Sequence, residues 1–203
     1  MEEVYGDTGK EQILSPNPQM SEDDNVLVQG IQGSPYAIGF FGYAYYQENQ
    51  DVLKPIGIAG IAPTAESAED GSYHLSRPLF MYSDPTILAE KPQVAAFLNF
   101  MLTNVNDEIV DVGYFPLSGT ALDESKQNWL EAMGAAGTEA KTDAAADTGA
   151  ALTELPEVDP LSVTGDIITA GSSTVFPLSE RMAERFQDEG YAGSITIDSI
   201  GSG

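Results

Sequence analysis

Val94, Phe97, Leu98, Met101 and Leu102 recur three or four residues apart. That spacing predicts a helix over 91–102 with one apolar face, and Pro92 suits its first turn. Val175, Leu178, Met182 and Phe186 make a second such face, with Glu180, Arg181, Glu184 and Arg185 on the other sides and Gly190 as the stop. From 194 to 200 the period changes from helical to alternating, and a strand is expected; another is expected over 163–169. Between that strand and the helix lie Gly171, Ser172, Ser173 and Thr174, a small hydroxyl-rich turn. The unit reads strand, loop, helix, strand, loop, the beginning of a parallel sheet whose loops open at the carboxyl ends of its strands.

The first two thirds of the chain are less regular. A short helix is expected over 22–32 after the acidic cluster Ser21-Glu-Asp-Asp-Asn25. Residues 37–46 read as an aromatic strand whose later half could turn helical, packed into a core, with Gly39 and Gly42 marking close backbone approach. Extended character is expected over 52–61, a polar loop over 62–72, and over 73–82 a strand that Pro78 confines to an edge or bulge. A short extended piece follows over 109–117, then a helix over 125–133 carrying Trp129. From 134 to 160 the composition turns to Ala, Thr, Gly, Asp and Glu with no aromatic residue, as in a disordered acidic linker. The domain boundaries are therefore drawn at 1–133, 134–160 and 161–203.

Charge narrows the partners. With 32 acidic against 8 basic residues the net charge is −24, which argues against nucleic acid, since binding to it rests on Lys and Arg. It does not exclude a small anion, because screening acts over about 8 Å while loop donors act in contact. There is no cysteine, so thiolate metal sites and cysteine nucleophiles are absent. The first residues lack the basic and apolar regions of a signal peptide, which leaves a cytoplasmic protein or an internal start.

The loop at 171–174 carries the chemistry. A helix N-terminus holds unpaired N–H donors and a partial positive charge, and beside it stand several hydroxyls; together these bind oxyanions. Catalytic readings are weaker. His74 is the lone histidine, no Gly-x-Ser-x-Gly elbow accompanies it, and no Gly-x-x-x-x-Gly-Lys-[Ser/Thr] loop occurs. The cluster at 22–24 lacks the spacing of a calcium loop. No catalytic residue, metal or cofactor is assigned.

Ala170-Gly-Ser-Ser-Thr-Val-Phe-Pro-Leu178 with Ile195-Thr-Ile-Asp-Ser-Ile-Gly-Ser-Gly203 resembles the opening of the phosphate-binding component of phosphate ABC transporters, the PstS-type periplasmic binding proteins. Ser21-Glu-Asp-Asp-Asn-Val-Leu-Val-Gln-Gly30, Ala37-Ile-Gly-Phe-Phe-Gly-Tyr-Ala-Tyr-Tyr46, Leu75-Ser-Arg-Pro-Leu-Phe80 and Val112-Gly-Tyr-Phe-Pro-Leu117 resemble that family's closing half. Closing motifs thus precede opening ones, as in a segment of a head-to-tail tandem or a circular permutant. The resemblance implies a partial α/β fold of the type II periplasmic-binding-protein kind, with the order of its halves permuted. It also implies an extracytoplasmic location, inorganic phosphate as ligand and membrane permease subunits as partners. By the same resemblance Ser173, Thr174, the backbone of Val175 and Ser202 are expected to touch phosphate, and Arg77 to be structural. The family's second grip, a Ser-Gly-Thr loop with an arginine, and its proton-accepting aspartate have no counterpart between Met1 and Gly203. The isolated segment is therefore expected to lack a complete site. Sulfate or molybdate as ligand, a serine-dependent phosphatase or hydrolase, and a ligand-free scaffold are the alternatives.

Overall fold

The computed structural model describes residues 19–134 and 153–201. Helix α1 (Asp24–Gln32) starts where Asp23 Oδ1 accepts the Asn25 N–H at 2.9 Å, satisfying one of the donors a helix start leaves over. The chain then runs without strand pairing to α2 (Tyr43–Gln47). Tyr36, Ile38 and Phe40 are exposed, whereas Ala44 and Tyr45 are buried. The aromatic run is thus half surface and half core, and its helical half is the buried one.

The stretch expected to be a polar loop contains α3 (Ala65–Glu69), closed by reciprocal bonds between Thr64 and Ser67. Residues 73–82, expected as a strand, form a turn and then a segment that belongs to no helix or strand. Next come α4 (Pro85–Glu90), with Asp84 as its cap, and α5 (Pro92–Val112). The second, 21 residues long, runs ten residues beyond the end of the helix expected over 91–102, and it overrides the extended piece expected from 109. Val105 and Ile109 continue the buried face at helical spacing, so the helix gains by running on. It stops at Gly113, whose φ of 94° is the left-handed cap that glycine accepts without strain. Helix α6 (Gly119–Ala132) starts earlier than expected because Ser118 caps it through the Ala121 N–H.

Residues 153–160, assigned above to the linker, lie against α5 and α6. The Pro156 carbonyl accepts from Asn99 Nδ2 at 3.0 Å, the Thr153 N–H donates to Asp123, and Val158 packs on the core. A single 3-10 turn (Pro160–Ser162) leads to β1 (Ile167–Gly171), then α7 (Phe176–Asp188) and β2 (Ile195–Ser199). The two strands pair in parallel, Ile167 with Ile195 through Gly171 with Ser199. This is the strand-helix-strand unit that the sequence implied.

The core joins both sides of the 135–152 stretch. Phe97, Phe100, Met101, Val105 and Ile109 of α5 meet Ile167, Leu178, Met182, Ala183 and Phe186. Phe186 lies at the centre, with the rings of Phe97, Phe100 and Tyr191 at 5.4, 4.9 and 4.8 Å between centroids. At the rim Glu108 accepts from Arg181 at 2.7 Å and from Arg185 at 2.9 Å. Among the described residues no helix is long and apolar enough to cross a membrane.

Candidate functional site

The loop 172–175 leaves the carboxyl end of β1 and enters α7. The register puts the end of β2 beside it, and the Ile200 N–H still reaches the Gly171 carbonyl at 2.9 Å, so the chain after β2 departs from the same edge. Loops at the carboxyl edge of a parallel sheet are where ligands of open α/β folds bind. Ser173, Thr174 and Val175 are brought together here. Ser202 lies outside the described residues.

Within the loop the donors are turned inward. The Thr174 N–H donates to Ser172 Oγ at 3.1 Å, and the Val175 N–H to the Ser172 carbonyl at 3.0 Å. The Phe176 N–H donates to the Ser172 carbonyl at 3.1 Å and to that of Ser173 at 3.3 Å. The expectation of open backbone donors is met only in position, because these three N–H groups are already bonded inside the turn. Val175 sits at the N-cap of α7 without a side chain that could cap it, and the Ser172 carbonyl accepts the N–H of Phe176, the first residue of the helix. Ser173 is buried, and an oxyanion reaching the Thr174 N–H must displace Ser172 Oγ.

Sequence reasoning did not foresee what holds this loop. Tyr45 of α2 donates its hydroxyl to the Ser173 carbonyl at 2.9 Å, and Tyr114, just past α5, donates to the Thr174 carbonyl at 2.6 Å. Burial pushes both phenols up, Tyr45 to about 12 with the nearby Asp24 carboxylate adding to the effect, so both hydroxyls keep their protons. Gly42 completes the contact: a Cβ there would stand 2.8 Å from Tyr114 Oη and 2.9 Å from Thr174 Cγ2. Its N–H donates to Asp24 Oδ1 at 3.1 Å, while Asp24 Oδ2 is buried without a partner. The close approach read from Gly42 is therefore real. What the sequence concealed is its target, the 172–175 loop more than 130 residues away.

The other candidates are placed apart from this chemistry. His74 and Arg77 are exposed on the turn that replaces the expected strand. The cations of α7, Arg181 and Arg185, are engaged with Glu108. Among the described residues no group of three or more His, Cys, Asp or Glu could hold a metal ion.

The model of the PBP superfamily domain matches residues 7–105. That stretch, a little under half of the chain, is similar to a PBP superfamily domain. The match ends before the 172–175 loop, which meets the matched stretch at Gly42 and Tyr45. Protein SphX of Synechocystis sp. is 35% identical over 130 residues, covering 62% of this chain and 38% of that protein. Protein SphX of Synechococcus elongatus is 36% identical over 115 residues, 54% of this chain and 34% of that protein. The phosphate-binding protein PstS of Staphylococcus saprophyticus is 34% identical over 104 residues, 49% and 33%. The chain thus spans about a third of the length of these curated relatives. No solved structure matches it. The resemblance to PstS-type phosphate-binding proteins holds, and the fold is a partial α/β one of the periplasmic-binding-protein kind.

Proposed function

We propose that the chain is part of an extracytoplasmic protein that captures inorganic phosphate and hands it to the permease subunits of an ABC transporter. The observation that carries this reading is the hydroxyl-rich loop 172–175 at the carboxyl edge of a parallel sheet and the N-terminus of α7, in a chain similar to proteins named for phosphate binding. Phosphate oxygens are met by the hydroxyls of Ser173 and Thr174, the Val175 N–H and, from the loop after β2, Ser202. Binding is by hydrogen bonds alone, each contributing about 1.5–3 kcal/mol where the acceptor is charged. No covalent step is involved, and the chain acts as a carrier. The order of its segments is that of a tandem or circularly permuted parent, in which the second phosphate grip lies outside these 203 residues.

Calorimetry on the intact parent, with phosphate and sulfate in separate titrations, tests the reading. Phosphate is expected to bind and sulfate to be rejected, and Ser173→Ala is expected to weaken phosphate about tenfold or more. A parent that binds neither anion defeats the proposal. The 203-residue chain by itself is expected to bind phosphate only weakly, so a micromolar dissociation constant there would overturn the view that the site is incomplete.

A further inference from the structure

Both tyrosine hydroxyls that touch the anion loop end on its carbonyls, and both belong to the segment before residue 134. A trans peptide is a rigid plane in which the carbonyl of one residue and the N–H of the next point in opposite directions. Fixing the Ser173 carbonyl therefore fixes the Thr174 N–H, and fixing the Thr174 carbonyl fixes the Val175 N–H. We propose that Tyr45 and Tyr114 are positioning residues of the loop: two hydroxyls held by the first segment set two consecutive peptide planes and so fix the direction of the Thr174 and Val175 N–H groups, the first of which an oxyanion reaches by displacing Ser172 Oγ. This rests on the reading of the loop as a phosphate site.

The surroundings favour a positioning role over plain packing. A buried phenol is worth its desolvation only where its hydroxyl finds an acceptor, and these two find acceptors on adjacent residues of one turn. Neither ring can withdraw easily. Tyr114 Oη lies beside Gly42, 2.8 Å from where a Cβ would stand, the Gly42 N–H donates to Asp24, and the Tyr45 carbonyl accepts from Asn49 Nδ2 at 2.9 Å. Burial keeps both phenols protonated, so the donors persist through the physiological pH range. The loop is thereby referenced to α2 and α5 rather than to its own strand alone.

The test uses Tyr45→Phe, Tyr114→Phe and the double variant of the full 203-residue chain. Amide hydrogen exchange is followed by NMR at Thr174, Val175 and Phe176, with Met182 in the core as the internal control. Inorganic phosphate is then titrated against the same amides. Each single variant is expected to speed exchange at the loop by about tenfold, the loss of one buried hydrogen bond, with Met182 changed less than twofold. Phosphate-induced shifts at the loop are expected to need severalfold higher phosphate. Loop exchange that stays at the unsubstituted rate, or that rises in step with Met182, overturns the proposal. If phosphate moves no loop amide even in the unsubstituted chain, the phosphate reading of the loop falls, while the exchange rates still decide whether the tyrosines set its planes. Should the double variant not fold, the single ones carry both measurements.

Discussion

Gly42 sits where one methyl group would collide with Tyr114 and with Thr174 of the 172–175 loop. Its φ of −59° is open to any residue, so the constraint is contact alone. Gly42→Ala must push back Tyr114 Oη or the Thr174 methyl, and overpacking of this kind costs about 1–3 kcal/mol. Urea denaturation should show the loss; an unchanged midpoint would mean that the loop yields freely. Glu108 supports a second expectation. Its carboxyl lies below the ordinary value of 4.5, chiefly because Arg181 donates a hydrogen bond to it, with the charges of Arg181 and Arg185 adding to this and burial opposing. A lowered folded-state value means that the unfolded chain binds the proton more readily. The stabilisation is complete above the ordinary value and fades as pH falls below 4.5 through the folded one. Glu108→Gln should accordingly flatten the acid limb of a stability profile below pH 4.5, and parallel limbs in both proteins would refute it. At this scale the sequence was informative about identity and poor about direction. Ser173 and Thr174 were legible as a hydroxyl turn, but nothing in their spacing shows that Ser172 takes up the donors or that tyrosine hydroxyls meet the carbonyls.

Helices proved readable and strands less so, for a reason that lies in their hydrogen bonds. A helix satisfies its backbone from within, so a spacing such as Leu178, Met182, Phe186 is almost sufficient to predict α7. A strand needs a neighbour. Residues 37–42 and 73–82 have strand composition, yet among the described residues they pair with no strand. β1 and β2 succeed because each supplies the other's ladder. The boundary of α5 was missed for a related reason: its apolar face continues through Val105 and Ile109 into a stretch that, read alone, looks extended. The energetic weight of the packing rests on α7. Phe186 and Met182 have no exposed surface, and Phe186 meets three aromatic rings. Phe186→Ala should cost about 3–5 kcal/mol, enough to threaten the fold of a domain of ordinary stability. A loss under 1 kcal/mol in chemical denaturation would show that α7 is not the keystone that its burial makes it.

For the whole molecule, the question is whether 20–134 and 153–201 form one body or two. The core answers in the geometry: α5 and α7 interlock through Phe97, Phe100 and Phe186, Glu108 bridges to Arg181 and Arg185, and Tyr45 and Tyr114 hold the loop. Every one of these contacts crosses the 135–152 stretch, and residues 153–160 add a strap along α5 and α6. Association then does not depend on covalent continuity, because these contacts lie among the described residues on either side of the cut, and the entropic cost of closing a loop grows slowly with its length. A specific protease site placed between 134 and 153 and then cut should leave the two pieces together. They should elute as one species at the size of the intact chain and unfold in a single cooperative transition, at a lower denaturant midpoint that depends on protein concentration. Pieces that separate under native conditions would break the shared-lobe arrangement. The tyrosine latch would fall with it, since both hydroxyls and the loop they position would lie in different molecules with nothing to hold them at 2.6–2.9 Å. Pieces that stay together would instead show that the closing-half motifs and the opening loop build one lobe, whichever way the parent chain connects them.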